Sequence, residues 1–442
     1  MRALGLLIAT FALAVAPAAA APWSQPTQIP GAPDAFPIVA DSAGGPQALY
    51  WGAFDLPNLQ APIASFVSVL GPGPAPGAAV RLSPSLNISQ ATIYGRRVAL
   101  ATFGSASSTS PGSVTGVATG PLGGPMKLHA LPAEVQSIAG NAAGDLAVLI
   151  EHCATNVSGC RPSAPAVVIE RPGRGFSKPI TLDRKGHSFG GSLTIDAHGR
   201  VLAAWDRAGV IYARFISVAG KLSAIQRLGY DTGPSGLDVV LSGDGRAAVG
   251  WTSQSVSEGE AASDFTAQIA LAGSSSHFHT ARTVDTVSVL GTGRYIPYQG
   301  LVIRLPAGQP GLAAWTGYDG AHYTVQAASI NATTISPPQT VSTPGTDTVL
   351  ADAAEGAHGQ AVILLLPGRA GADPVIGTQP DGLIAVTHPP GTQTFSPHEQ
   401  ILPGPAYVDG ATVSIDTATG GVLATWRNAG SPASWAVRTP LA

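Results

Sequence analysis

Hydrophobic residues in this chain come in short runs cut by glycine, and the runs recur. Eight segments share one pattern: a turn, usually at glycine, then a β-type apolar run, then a large apolar residue about six positions on. They are Gly45 to Trp51, Arg97 to Phe103, Gly144 to Ile150, Gly199 to Trp205, Gly245 to Trp251, Gly308 to Trp315, Gly359 to Leu365 and Gly420 to Trp426. Successive anchors lie about 46 to 64 residues apart, close to the spacing of repeat architectures. Around the Trp205 anchor four strands can be read. Ser192 to Asp196 alternates, Arg200 to Trp205 is apolar almost throughout, Val210 to Ile216 alternates again, and Lys221 to Leu228 follows a turn at Gly220. Alternation with a period of two between Gly and Asp turns is the mark of a strand. A run that is apolar at nearly every position predicts burial on both faces.

The fourth run of a repeat has its own form, seen in Phe176 to Leu182, Phe278 to Val284, Ile335 to Val341 and Phe395 to Ile401. Trp23 to Ile29 reads as such a run with no first three before it, and the last repeat, Ala411 to Val437, has three runs and no fourth. The pattern therefore predicts an all-β fold: a single β-propeller of four-stranded antiparallel blades, eight in number, with seven as the alternative because the Phe103 repeat is the weakest. The N-terminal strand is expected to complete the last blade and close the ring, which would remove exposed sheet edges. No helical periodicity survives the density of Gly and Pro after residue 20.

On these repeats the chain resembles secreted bacterial β-propeller proteins with degenerate repeats, across essentially all of residues 21–442. The resemblance is one of architecture. The Gly-His and Trp-Asp pairs of WD40 blades occur together in one repeat only, as Gly186-His187 and Trp205-Asp206. Ser414-Ile415-Asp416 and Thr194-Ile195-Asp196 stand too far from Trp426 and Trp205 for the Asp-box of sialidases. The resemblance implies a fold and assigns no site residue.

Residues 1–20 read as an export signal: Arg2 is the charged start, Leu4 to Ala16 the apolar stretch, and Ala18 to Ala20 the small-residue cleavage site. That stretch is too short to span a bilayer, which takes about 20 apolar residues. Residues 21–442 are expected to form one domain, secreted or periplasmic, monomeric and not inserted in a membrane. Gly (54) and Pro (38) together exceed a fifth of the 442 residues, yet 45% are hydrophobic, so the chain is turn-rich rather than disordered. A net charge of −3 with no basic stripe gives no electrostatic footprint for nucleic acid. Cys153 and Cys160 lie seven apart, and in an oxidising compartment they are expected to form a local disulfide.

Chemistry is harder to read. Gly186-His187-Ser188-Phe189-Gly190 has the spacing of a nucleophile elbow, but a strand rather than a helix follows it, so it reads as a loop. The connections from each fourth run to the next first run would meet at one face, around a channel mouth. Seven carry an acidic residue: Asp34, Glu134, Asp183, Asp231, Asp285, Asp347 and Asp409. The candidate ligand-binding set is Asp34, Asp231, Asp285, Arg294, Tyr295, Tyr298, Asp347, Tyr407 and Asp409, where Arg can pair with anions and Tyr can stack on sugars or peptides. No cofactor is required; Ca²⁺ is the ion an acidic ring would hold. No catalytic constellation is present in the pattern. The expected function is a binding or interaction scaffold that uses the loops of one face for a glycan, peptide or protein. The alternative is a carbohydrate-active hydrolase or lyase with acidic residues at the mouth.

Overall fold

The computed structural model describes residues 23–29, 37–42, 45–55, 58–70, 77–82, 86, 88–102, 116–131, 133–154, 161–185, 190–230, 236–256, 262–290, 300–368, 382–390, 394–404, 408–417, 419–428 and 434–438. Within them all regular structure is β-strand.

β1 is Thr27–Gln28, and β2 (Ile38–Ser42), β3 (Gly45–Asp55), β4 (Asn58–Val69) and β5 (Val80–Arg81) make a first run of four. The second run is β6 (Ile88–Tyr94), β7 (Arg97–Thr102), β8 (Gly116–Pro121) and β9 (Lys127–Ala130). The third is β10 (Glu134–Gly140), β11 (Leu146–Ala154), β12 (Arg161–Glu170) and β13 (Ile180–Thr181). Next come β14 (Gly191–Ile195), β15 (Val201–Asp206), β16 (Val210–Ile216) and β17 (Gln226–Tyr230). The fifth is β18 (Leu237–Leu241), β19 (Ala247–Val256), β20 (Ala262–Ala272) and β21 (Arg282–Leu290). The sixth is β22 (Leu301–Arg304), β23 (Gly311–Tyr318), β24 (Tyr323–Ile330) and β25 (Gln339–Thr340). The seventh is β26 (Thr348–Glu355), β27 (Ala361–Pro367), β28 (Gly382–His388) and β29 (Glu399–Pro403). Last are β30 (Val408–Ile415), β31 (Val422–Asn428) and β32 (Ser434–Arg438).

These strands form seven sheets, which corrects the expected closed propeller of eight four-stranded blades. Six sheets have four strands, and one has eight in the order β5-β4-β3-β2-β6-β7-β8-β9. The first two runs are joined by a parallel bridge between Asp41 of β2 and Thr92 of β6. The register of β2 on β3 shifts between Ala40 and Asp41, and such a bulge bends a strand locally. It falls at the point where β2 meets β6. The seven-blade alternative falls with the first, because it too required separate four-stranded units. In the last sheet β1 pairs with β32, Thr27 opposite Trp435 and Gln28 opposite Ser434.

The first strands of the runs, β2, β6, β10, β14, β18, β22, β26 and β30, follow one another around a central cavity, each in contact with the next and β30 with β2. The second strands lie behind them. β15 (Val-Leu-Ala-Ala-Trp-Asp) is buried at every position, as is β27. Their alanines let adjacent sheets approach, and the large anchors fill the gaps. Trp51, Trp205, Trp251, Trp315 and Trp426 are all fully buried. Trp251 packs in one cluster with Leu202, Ala204, Ile211 and Ala213 of the preceding sheet. Burying a large apolar side chain stabilises by about 1.5–3 kcal/mol, so these inter-sheet clusters are the core.

Side chains also join the inner strands. The Ile138 amide of β10 donates to Gln90 Oε1 of β6 (3.0 Å), and the Gly140 amide to Thr92 Oγ1 (3.1 Å). The Leu193 amide donates to Ser137 Oγ (3.3 Å), Ile303 to Asp238 Oδ2 (2.6 Å) and Val413 to Asp352 Oδ2 (2.9 Å). Backbone donors on the free edge of one inner strand are thus satisfied from its neighbour. An unpaired buried amide would be costly.

Candidate functional site

Residues from all eight inner strands line the central cavity, whose volume is about 900 Å³. It also takes in the turns that follow β10, β14, β18, β22, β26 and β30. Much of its wall is aliphatic, including Ile38, Val39, Ile138, Ile195, Leu241 and Val413. A volume of a few hundred to a thousand cubic ångströms is that of small-molecule sites.

One sector is polar. Arg304, at the end of β22, lies between two carboxylates: its Nη1 is 3.4 Å from Asp238 Oδ2 on β18 and its Nη2 is 3.2 Å from Asp352 Oδ1 on β26. Burial raises the pKa of Asp238, opposed by Arg304 and by the Ile303 and Val239 amides. Burial likewise raises Asp352, opposed by Arg304 and the Val413 and Ala353 amides and reinforced by the Asp238 charge. Glu355, at the end of β26, is pushed up to about 8 by burial, against the Leu312 amide, Arg304 and Arg246. Its Oε2 is buried without a hydrogen-bond partner. The carboxyl therefore keeps its proton at neutral pH.

Ser242, on the turn after β18, is another polar group of the lining. It is 4% exposed, lines the cavity, and its Oγ has no partner. Other first-to-second-strand turns use this position to close themselves. Asn141 Oδ1 accepts from the Asp145 amide (2.9 Å), and Asp196 Oδ1 accepts from His198 and Arg200 (both 2.9 Å). In the Ser242 turn Asp244 does this work, accepting from the Arg246 amide at 3.1 Å, which leaves the Ser242 hydroxyl free.

A second cavity of about 420 Å³ lies between β26 and β30 and shares Pro37, Asp352 and Thr412 with the first. Trp426 lines it, and its indole Nε1 has no partner.

Several expected site residues face other partners. Asp285 lies inside β21, which continues to Leu290, so the connection expected to begin there starts later. Its Oδ2 accepts from Trp315 Nε1 at 2.9 Å, and burial raises its pKa. Asp347 Oδ1 accepts from the Tyr323 amide (2.9 Å) and lies 3.6 Å from His322 Nδ1. Asp183 pairs with Arg207, and Glu134 is exposed at the start of β10. None of these four lines either cavity. Asp34, Asp231, Arg294, Tyr295, Tyr298, Tyr407 and Cys160 fall outside the described residues, as do the side chains of Asp409 in β30 and Cys153 in β11. Among the described residues no group of three or more His, Cys, Asp or Glu is placed to hold a metal ion.

Sequence reasoning did not single out Asp238, Ser242, Arg304, Asp352 or Glu355. The available signal was a charge inside an apolar strand, as in Leu237-Asp238-Val239-Val240-Leu241. A charge placed there needs a partner.

No family model matches the chain, and no curated protein sequence matches it. Among solved structures it is similar to a protein from Lactobacillus plantarum, with a TM-score of 0.37 and 13% identity over 78% of this chain and 97% of the other. A second is the polysaccharide lyase Uly1, with a TM-score of 0.47 and 10% identity over 95% of this chain and 100% of the other. A third is a functionally unknown protein from Desulfotomaculum acetoxidans DSM 771, with a TM-score of 0.41 and 10% identity over 82% of this chain and 95% of the other. Likeness at this level carries neither a fold nor an activity across.

Proposed function

We propose that this is a binding protein whose central cavity holds a small ligand, acting outside the cytoplasm as its expected export signal implies. One observation carries the reading. Four polar side chains on three successive inner strands and their turns (Ser242, Arg304, Asp352 and Glu355) line a largely aliphatic cavity of about 900 Å³, and Asp238 pairs with Arg304 behind that lining. Concave, mostly apolar sites with a few convergent polar groups are where small ligands bind. A ligand held there would stabilise the native state by mass action.

The test is a thermal-shift screen with sugars, amino acids, amines and carboxylic acids, run on the native sequence and on Ala307→Trp and Ala357→Trp. Both alanines are exposed residues of the cavity lining, so the indoles would obstruct the opening without disturbing the core. A ligand whose stabilisation disappears in the obstructed variants supports the reading. Stabilisation that survives in them moves the site elsewhere, and a panel without any stabilising compound counts against a cavity site.

A second reading, a carbohydrate-active hydrolase, draws on Glu355, which holds its proton to about pH 8 in the same sector as Asp352. A carboxyl that burial keeps protonated can serve as a general acid. Turnover of a polysaccharide panel that Glu355→Gln abolishes would favour it over simple binding. No turnover by the native protein would set it aside.

A further inference from the structure

Independently of the cavity, we infer that the outer edge of β21 is an interaction surface, and that its partner is β21 of a second copy of this chain. β21 stands last in the sheet β18-β19-β20-β21. One side pairs with β20 from Arg282 to Leu290, and among the described residues no strand pairs with the other. An outermost strand leaves a row of backbone donors and acceptors open to another chain. Arg282, Thr283 and Thr286 are exposed along it.

Length singles this edge out. β21 has nine residues, whereas the other outermost strands have two (β1, β5, β13 and β25), four (β9) or five (β17 and β29). The difference arises beyond the anchor tryptophan. β15 stops just after Trp205, but β19 runs on past Trp251 to Val256, and β20 and β21 rise with it as a ribbon. Thr266 pairs there with Thr286, and Ala262 with Leu290. The usual guards of a free edge are missing. β21 contains neither Pro nor Lys, which natural edges use to discourage pairing. Its register on β20 shifts only between Ala267 and Gln268, near its start, and Asp285 to Leu290 then run unbroken against Ala267 to Ala262.

A strand that adds here along the full edge must itself have a free edge of comparable length. Among the outermost strands of this chain only β21 offers one. Antiparallel pairing of β21 with itself closes about a two-fold axis, so both edges are used and none is left to extend. The register that pairs all nine residues turns on Thr286. Thr286 then meets Thr286 of the second copy, Asp285 meets Val287 and Arg282 meets Leu290. No like charges stand directly opposite, an arrangement that would destabilise the pair. Asp285 keeps its bond to Trp315, because the pairing uses main-chain groups. Nine paired residues bury less than the ~1,200 Å² of a durable interface, so the dimer forms and separates with concentration.

The experiment is sedimentation velocity of the full chain over a concentration series, with Thr286→Lys, Thr286→Glu and an equimolar mixture of the two. Thr286 is exposed, so neither change disturbs the core, and melting temperatures check this. The native sequence should pass from monomer to dimer as concentration rises. Each variant alone should stay monomeric where the native chain dimerises, since like charges then face each other across the axis. The mixture should dimerise again. Amide exchange along Arg282–Leu290 should also slow with concentration in the native chain, a readout that needs no variant. A native chain that stays monomeric throughout, or that grows beyond a dimer, overturns the inference. So does association that both variants retain, which would place it on another surface, or a mixture that remains monomeric.

Discussion

Asp352 of β26 accepts the Val413 amide of β30 at 2.9 Å through one carboxylate oxygen, while its other oxygen meets Arg304 at 3.2 Å. One side chain therefore ties three neighbouring inner strands. Asp352→Leu should destabilise the fold by about 1–3 kcal/mol, the cost of leaving a buried donor unpaired, and more if Arg304 is not rehydrated. Asp352→Asn keeps an acceptor for Val413 and should lose less. Urea unfolding of the two variants measures the difference; equal losses would mean that the Val413 contact contributes nothing.

Glu355 makes stability depend on pH. Its folded-state pKa is about 8 against an ordinary 4.5, so the native state holds this proton more tightly than the unfolded chain does. The group's favourable contribution is complete below about pH 4.5, declines as pH rises, and is lost above about 8. Glu355→Gln should therefore raise the melting temperature at pH 9 relative to the native sequence and leave it nearly unchanged at pH 4. A shift of the same size at both pH values would contradict the burial assigned to this carboxyl.

Two glycines with positive φ should respond unequally to substitution. Gly308 (φ 72°) has open space where a Cβ would stand, so Gly308→Ala should cost only the left-handed backbone, about 1–2 kcal/mol. At Gly45 (φ 112°) the added Cβ would come within 2.4 Å of the Asp416 Cα, a backbone atom that must move. Gly45→Ala should cost at least twice as much. Denaturation midpoints in the reverse order would place the strain elsewhere.

Trp315 Nε1 donates to Asp285 Oδ2 at 2.9 Å, whereas Trp205 Nε1 has no partner. Asp285→Ala should destabilise by about 1–3 kcal/mol by leaving the indole donor unpaired. Combined with Trp315→Phe the losses should not add, and a double-mutant cycle reads that coupling. Strict additivity would show that the bond carries no energy.

Much of the strand pattern was legible because its causes are local. A left-handed glycine stands at each repeat turn, from Gly45 and Gly95 through Gly144, Gly199, Gly245, Gly308, Gly359 and Gly420. Runs buried on both faces, such as Val201 to Trp205, declare themselves by composition. The joining of β2 to β6 was not legible, since a register shift at Ala40 and Asp41 has no residue signature. The polar sector was hidden for a related reason. Asp238 meets Ile303 across 65 positions and Asp352 meets Val413 across 61, and no spacing in the sequence marks those pairs. The count of acidic residues in the connections could not register that the Asp285 carboxylate bonds Trp315 and the Asp347 carboxylate bonds the Tyr323 amide.

The stitches between inner strands also bear on whether one copy of this chain can add strands to another. Only 11% of its residues are charged, so mutual repulsion between molecules is weak. A free strand edge is what a second chain would extend, and along the inner edges Gln90, Thr92, Ser137, Asp238 and Asp352 already occupy amides such an intruder would use. On the outside, β5, β13 and β25 offer two residues each, too short a template to zip onto, whereas β21 presents nine. At the inner edges and the shortest outer strands it is geometry that resists such extension, and raising the salt concentration should leave that protection intact.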